Sequence, residues 1–266
     1  MNRAPEDPPA DPRGPHRFGT ADLQIHTSYG DGMADAYELM HRIEERTDLD
    51  VIAVTDHDDI GGALLAREVH ARGNYSFEFV PGVELTTRAG HLLALWVDEP
   101  LRPLRPLGET VATIHRMGGV AVIPHPFSYL TRSVGQRALE RLIREGDPEA
   151  IPDGIEVANL TLAGRVTGAK ALRLNRERYR LAETGGSDAH FPEEVGTART
   201  MFAGETAEEL RAAILGRETS GIRVHQVGLR TIGVRRLAAQ QVRGLSVTPK
   251  KVLGPHVRRL AGTLRR

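Results

Sequence analysis

Short apolar runs alternate with amphipathic segments along most of this chain. The runs have the length and the branched or aromatic residues of buried strands. They cover residues 21–25, 51–55, 79–85, 91–97, 120–124 and 154–158 and the stretch before Gly185. Between most of them, apolar residues recur with helical spacing near 34–46, 59–71, 108–117, 136–145, 168–178 and 206–215. This alternation predicts parallel βα units, and about seven units predict a barrel.

Both ends of the chain depart from this pattern. Residues 1–17 contain five prolines and almost no apolar residue, which predicts a disordered segment. The pattern predicts a barrel over residues 18–221 and a basic C-terminal extension over residues 222–266. Within the extension, residues 229–245 can form a basic amphipathic helix that Pro249 would end.

Composition excludes several classes of protein. The chain has 266 residues and no cysteine, which excludes disulfides, thiolate metal sites, iron–sulfur clusters and a cysteine nucleophile. No apolar run approaches the ~18 residues that a membrane span needs. The first residues contain no apolar core of an export signal. We therefore expect no membrane span and a location in the cytoplasm.

Charge is divided unevenly along the chain. The formal net charge is zero, with 35 basic and 35 acidic residues. Residues 222–266 hold eleven Lys and Arg and no Asp or Glu, so the body before them is acidic. The extension can contact a polyanion such as nucleic acid, or it can pack against the acidic barrel. Aromatic residues, which stack on single-stranded bases, make up only 5% of the chain and favour the second alternative.

Histidines and carboxylates cluster at the ends of the apolar runs. They are His26 and Asp31 in HTSYGDG, His57 in TDHDD, Glu84 in PGVEL, His91 in GHLLAL, His125 in PHP, and Asp188 and His190 in GGSDAH. If the runs are parallel barrel strands, their carboxyl ends open on one face and these side chains converge there. Asp22 and Asp56 are candidates to orient the neighbouring histidines.

Imidazoles and carboxylates without thiolates suit Zn²⁺, Mn²⁺ or Fe²⁺, with Mg²⁺ as a further candidate. Without cations, so many converging carboxylates would repel one another. Two or three neighbouring divalent ions can hold a phosphate and activate a water. The cluster therefore predicts a metal-dependent hydrolase.

The ordered motifs resemble those of the PHP (polymerase and histidinol phosphatase) superfamily. The resemblance covers about residues 20–216, and the motifs that carry it are ADLQIHTSYGDG, AVTDHDDIGG, PGVELTT, GHLLAL, PHPF and GGSDAH. It implies a distorted (βα)7 TIM-like barrel of PHP type, with two or three metal ions at the carboxyl ends of the strands. It also implies a phosphoesterase that acts on small phosphorylated compounds, nucleotides or oligonucleotides.

The resemblance further implies three linked metal positions. One would be served by His26, Glu84 and Asp188, a second by Asp31, His57 and His190, and a third by Glu84, His91 and His125. His57, Asp188 and His190 are the predicted catalytic residues. The family has His-x-His in its first motif, whereas this chain has Gln24 in the first position. Because an amide oxygen is a poor zinc ligand, Gln24 stays an open candidate.

Contacts to the substrate are the least determined part of the site. Arg165, Arg199 and Asn159 are the candidates, since a phosphate needs cationic and polar partners besides the metals. Glu84 and His125 are only 41 positions apart, and a strand and a helix fill most of that interval. A large cap between them is therefore not expected, and substrate contacts must come from loops or from the extension.

We predict a metal-dependent phosphoesterase that hydrolyses a small phosphomonoester or a nucleotide by metal-activated water. Two alternatives remain open. One is a nuclease acting on oligonucleotides, with the basic extension along the polynucleotide backbone. The other is a catalytically impaired metal-binding regulatory module. Neither the organic part of the substrate nor the oligomeric state follows from the sequence.

Overall fold

A nine-stranded sheet curls into a nearly closed barrel in the computed structural model, which describes residues 17–245. The strand order is β7-β6-β5-β4-β3-β2-β1-β8-β9. The strands are β1 (Phe18–Ile25), β2 (Val51–Val54), β3 (Glu78–Thr86), β4 (His91–Leu95), β5 (Val120–Ile123), β6 (Gly154–Ala158), β7 (Ala182–Gly185), β8 (Ala198–Ala203) and β9 (Ser220–Arg223). The predicted α/β barrel is confirmed.

Helices connect most of the strands. They are α1 (Ala36–Arg46), α2 (Gly61–Arg72), α3 (Leu107–Arg116), α4 (Gln136–Glu145), α5 (Leu162–Leu174), α6 (Ala207–Gly216) and the short α7 (Leu229–Ile232). The predicted helices match these closely except α5, which begins earlier because the Thr161 hydroxyl caps Gly164 N–H. Residues 234–245 are also helical and are called the C-terminal helix below.

Apolar residues form two buried layers. One lies between the strands and helices α1 to α5, and it includes Leu39, Met40 and Ile43 on the inner face of α1. The other joins strand residues to α6. Arg211 of α6 donates to the carbonyl of Gly118, just before β5. Helix α6 therefore covers the amino ends of strands, which leaves the carboxyl edge to the loops.

Strand β4 runs against its neighbours, which corrects the expectation of uniformly parallel runs. It pairs antiparallel with β3 and with β5, and Thr86 at the end of β3 lies opposite His91 at the start of β4. The reversal has a direct consequence for the site. His91 opens its strand, and yet it reaches the edge at which the parallel strands end.

Strands β8 and β9 were not among the predicted runs. Strand β8 pairs antiparallel with β1, and β9 pairs antiparallel with β8. The predicted boundary between barrel and extension, after residue 221, falls inside β9. Arg199 and Thr200 interrupt the apolar residues of β8, so the segment lacks the continuous apolar run that marked most other strands.

The predicted extension is only partly covered by the described residues. Its helix is interrupted at Gly233, which has a φ of 83° and separates α7 from the C-terminal helix. Pro249, and the disorder predicted before residue 17, lie outside the described residues. Within residues 17–245, no helix has the length and apolar character that a membrane crossing requires.

Candidate metal centre

Eight predicted ligands converge at the carboxyl edge of the barrel. His26 directly follows β1, and its N–H donates to the carbonyl of Ala189 at 2.9 Å. This contact brings the loop after β7 against the end of β1. A β-bridge joins His57, after β2, to Glu84 in β3. The sheet itself therefore assembles residues that are far apart in sequence.

Glu84 lies at the middle of the cluster and is fully buried. Its Oε1 is 2.7 Å from His91 Nδ1 and 3.0 Å from His125 Nε2. Its Oε2 is 3.2 Å from His26 Nε2 and accepts a 3.0 Å hydrogen bond from Gln24 Nε2. His57 Nδ1 lies 3.6 Å from the same Oε2, so one carboxylate is close to four imidazoles and to the residue that departs from the family motif.

Two aspartates complete the cluster. Asp31 Oδ2 is 3.2 Å from His190 Nε2 and 3.8 Å from His57 Nε2. Asp188 Oδ1 is 3.1 Å from His26 Nε2. The ring of His190 stacks on that of His26, with the ring centres 4.4 Å apart, and its Nδ1 lies 3.9 Å from Asp188 Oδ1.

The donor atoms form compact groups. Within each group they lie within 4.8 Å of one another, and the groups are His26, Asp31, His57 and His190; His57, Glu84 and His91; and His26, Glu84 and Asp188. A tetrahedral ion with bonds of about 2.1 Å has donors about 3.4 Å apart, which is close to the separations in the cluster. Two groups contain the first two implied ligand sets, and His125 joins through its contact with Glu84.

Buried polar atoms also indicate a cation. Within residues 17–245, Gln24 Oε1, His26 Nδ1 and Asp31 Oδ1 are buried and have no hydrogen-bond partner. His26 Nδ1 and Asp31 Oδ1 lie 3.8 Å apart. Buried polar atoms are nearly always paired in proteins, because an unpaired one costs free energy. A divalent ion would satisfy such atoms, so the residues present fit the metals that the fold implies.

Neighbouring groups orient two imidazoles for ligation. The Ser133 hydroxyl donates to the carbonyl of His125, so its oxygen accepts the Nδ1–H of the same histidine at 3.0 Å. His190 Nδ1 lies 2.9 Å from the carbonyl of Asp188 and is its donor. In both rings Nε2 is then the atom that faces the cluster, and it would give up its proton when a cation binds, as ligating histidines do.

The cluster is held together by opposite charges. Burial alone would raise the pKa of Glu84, but the surrounding His57, His91 and His125 hold it well below its usual range. Burial opposes protonation of His125, yet its hydrogen bond to Glu84 raises its pKa to about 9. Burial, together with His26 and His91, lowers the pKa of His57 to about 4. His57 is thus neutral at physiological pH, as a metal ligand must be.

Two candidate ligands have strained backbones. His125 has a φ of 29° and Asp188 a φ of 55°. Non-glycine residues seldom adopt positive φ, at a cost on the order of 1–3 kcal/mol, and such strain concentrates at functional sites. Both residues are among the donors that converge in the cluster.

Carboxylates behind the cluster hold its loops. Asp56 accepts from the N–H and the hydroxyl of Thr27, at 2.8 and 2.6 Å, and so holds the loop after His26. Asp22 accepts from Ser187 N–H at 2.9 Å, directly before Asp188, and burial raises the pKa of Asp22 to about 6. Asp22 therefore supports the loop of Asp188, whereas the sequence had suggested a role in orienting His26.

Glu156 was missed by the sequence analysis. It is buried in β6, and its Oε2 accepts from the His125 N–H at 2.7 Å. Burial raises the pKa of Glu156 to about 8. A single glutamate inside the apolar run GIEVA was the available signal, since a charged residue in a buried strand needs a partner.

The predicted substrate contacts are not gathered at the cluster. Asn159 accepts from Thr161 and donates to Glu156, so it shapes the loop before α5. Arg199 bonds Gly196 O and the Asp48 carboxylate, which precedes β2. The structure thus does not place Arg199 as a phosphate contact, because β8 runs antiparallel and turns it towards the amino end of β2. Arg165 is exposed on α5 and stays a prediction.

Replacement of Gln24 by His is expected to strengthen zinc binding. Gln24 is fully buried and already contacts Glu84, so an imidazole there can join His26, Glu84 and Asp188. Imidazole is a far better zinc ligand than an amide, and we expect at least about tenfold higher affinity for one ion. Competition with a chromophoric chelator measures this, with Gln226→His on the surface as the control. Equal affinity in both variants would mean that residue 24 does not face a metal.

Known proteins resemble this chain in fold and in part of its sequence. A family model described as PHP-associated matches residues 170–219. A two-domain protein from Bacteroides vulgatus, which contains a predicted PHP-like metal-dependent phosphoesterase, has a similar structure with a TM-score of 0.61 and 20% identity. The similarity covers 91% of this chain and 74% of that one. These findings confirm the resemblance that the motifs indicated.

Two curated proteins match parts of the sequence. The uncharacterized protein MJ1587 of Methanocaldococcus jannaschii is 27% identical over 150 residues, which cover 52% of this chain and 81% of that protein. The 5'-3' exoribonuclease Rnm of Escherichia coli is 36% identical over 81 residues, which are 29% of this chain and 27% of the exoribonuclease. The second match therefore concerns only a segment of each protein.

Proposed function

We propose that this chain is a PHP-type metal-dependent phosphoesterase acting on a small phosphomonoester or a nucleotide. The observation that carries the proposal is the convergence of five imidazoles and three carboxylates at one end of the barrel. A purely structural role does not require three compact groups of metal donors that share members. A site for adjacent divalent ions requires them, and such sites hydrolyse phosphate esters.

Each implied position has its ligands in the cluster. His26, Glu84 and Asp188 would hold one ion, and Asp31, His57 and His190 a second. Glu84, with His91 and His125, would serve a third. When bound, such ions make a coordinated water nucleophilic near neutral pH and offset the charge on the phosphate. Zn²⁺, Mn²⁺ and Fe²⁺ suit these donors, and the amide of Gln24 also admits Mg²⁺.

The exposure of the ligands shows where a substrate can approach. The side chains of Glu84 and His26 are fully buried, whereas those of His57 and His190 are 14% and 16% exposed. Asp188, at 9%, lies beside them. His91, at 10%, is exposed to a similar extent, so four ligands form the accessible edge of the cluster. Of these, His57, Asp188 and His190 are the proposed catalytic residues. A divalent ion held at this edge would also offset the charge on the leaving oxygen.

A nuclease is the second candidate function. The segment shared with the 5'-3' exoribonuclease Rnm of Escherichia coli favours it, since that protein acts on RNA. The third candidate is a metal-binding module without catalysis, which the replacement of a family histidine by Gln24 favours. Both would bind metal in the same cluster. Hydrolysis assays with different substrates therefore distinguish them, whereas the metal content does not.

Hydrolysis assays with and without Mn²⁺ test the proposal. We expect release of phosphate from p-nitrophenyl phosphate or 5′-nucleotides, full inhibition by a chelator, and at least about 10³-fold lower activity in His57→Ala and Asp188→Ala. His41→Ala, an exposed histidine of α1, is the matched control and should retain activity.

Other outcomes would select another function. Shortening of oligonucleotides without monoester hydrolysis would establish the nuclease instead. Bound metal without hydrolysis of either substrate would support the metal-binding module without catalysis. A protein that binds no divalent ion would contradict all three candidate functions.

A further inference from the structure

The C-terminal helix crosses two loops that carry candidate metal ligands. Arg236 donates to both carboxylate oxygens of Glu193, at 2.9 and 3.2 Å. Its guanidinium also lies over the ring of Phe191, 5.1 Å from the ring centre. Phe191 directly follows the ligand His190 in sequence. One part of the helix is therefore fixed on the loop after β7.

The last turn of the helix contacts the loop after β1. Nη2 of Arg243 donates to the carbonyl of Ser28 at 2.7 Å and to the carbonyl of Gly30 at 3.2 Å. Gly30 immediately precedes Asp31, the ligand that faces His190. Arg243 thus holds the backbone segment from which the Asp31 carboxylate projects.

Gly244 lets the helix approach the Asp31 carboxylate. A Cβ at this position would lie 3.1 Å from Asp31 Oδ2, closer than ordinary van der Waals contact. Glycine in a helix costs about 1 kcal/mol relative to alanine, so local helix stability does not explain a glycine at position 244. The close approach of the helix to Asp31 explains it. Asp31 Oδ2 is the same oxygen that lies 3.2 Å from His190 Nε2.

Polar contacts, not apolar burial, hold the helix in this place. Its inward face carries Arg236, Arg243 and Gln240, and Gln240 is only 6% exposed. Its outward face exposes Val234, Val242 and Leu245 to 73%, 70% and 82%. A helix that packed to bury apolar surface would turn these three residues towards the barrel. The orientation of the C-terminal helix is therefore set by its polar contacts with the ligand-bearing loops.

We propose that the C-terminal helix is a positioning element of the metal centre. Arg243 is the positioning residue, because it holds the loop of Asp31, and Gly244 is the small residue that permits the contact. The helix thereby sets the affinity of the metal position that Asp31 shares with His57 and His190. This inference rests on the proposed metal centre.

Metal titration of the full-length, chelator-treated protein tests it, with Mn²⁺ as the probe and calorimetry as the readout. We expect Arg243→Ala to weaken binding of one ion by about 10- to 100-fold and to leave the other binding unchanged. Arg235→Ala removes the same charge from an exposed position of the same helix, and it should stay within about twofold of the unmodified protein. Arg243→Lys should recover most of the affinity, since one nitrogen makes both contacts.

Two further variants separate positioning from stability. Gly244→Leu should weaken the same ion, while Ala238→Leu on the exposed side should not. In an Asp31→Ala background, Arg243→Ala should cause no additional loss, because it acts through Asp31. If Arg243→Ala lowers the melting temperature but leaves Mn²⁺ affinity intact, the positioning role is wrong and the metal centre stands. An unmodified protein that binds no Mn²⁺ would refute the metal centre itself, and this inference with it.

Discussion

The Glu84→Gln variant is expected to lose bound metal and hydrolytic activity together. Glu84 contacts His26, His91 and His125, and each of its two oxygens faces at least one imidazole. The substitution preserves the size and shape of the side chain, so the buried packing is retained. It removes the negative charge that two of the ion positions share, and it replaces an acceptor oxygen by an amide group.

We expect at least about a 10³-fold fall in kcat/KM, equivalent to about 4 kcal/mol of transition-state stabilisation. Metal analysis of the purified protein and a phosphatase assay measure the two losses. Glu208→Gln is the matched control, because its side chain is 82% exposed on α6. A Glu84→Gln protein with the metal content and activity of the unmodified protein would contradict a shared central carboxylate.

Removal of the metals is expected to lower the melting temperature by at least about 8 °C. An ion that binds only the folded protein, present at a thousand times its Kd, adds about 4 kcal/mol to the free energy of unfolding. For a chain of this length, each kcal/mol corresponds to about 2–4 °C. The metal-free protein should still fold, because its carboxylates and imidazoles pair with one another in the absence of ions.

Thermal scans before and after chelation measure this shift, and added Zn²⁺ or Mn²⁺ should reverse it. The Glu84→Gln variant is an internal control, since chelation should change its melting temperature little. A chelator that leaves the unmodified protein unchanged would show that ions contribute nothing to its stability. That result would contradict the interpretation that the converging imidazoles and carboxylates bind metal ions.

Local patterns predicted most of the barrel. The amphipathic spacing of Ala36, Leu39, Met40 and Ile43 predicted α1, and all four residues are buried in the structure. Periodicity depends only on neighbours along the chain, so it identifies an element without its direction. The reversal of β4 was therefore missed. Strands β8 and β9 were missed as well, because polar residues interrupt their apolar pattern.

The candidate ligands were also accessible from sequence, and the family resemblance implied their grouping, but the individual contacts between atoms were not accessible. His26, Glu84 and Asp188 stand next to apolar runs, and strand ends meet at one edge of a barrel. That reasoning places donors on a face, but it cannot say which atoms meet. Arg199 shows the limit, since its position after the last motif suggested a phosphate contact and its antiparallel strand directs it to Asp48.

By itself, the sequence determined the kinds of elements, their order and the donor atoms available for chemistry, because these follow from residue type and local spacing. Only the tertiary structure decided that Gln24 contacts Glu84, that Ser133 orients His125, and that the C-terminal helix lies against Asp31. These are contacts between segments far apart in the chain. Their geometry depends on how strands pair and loops turn, and no spacing along the sequence carries that information.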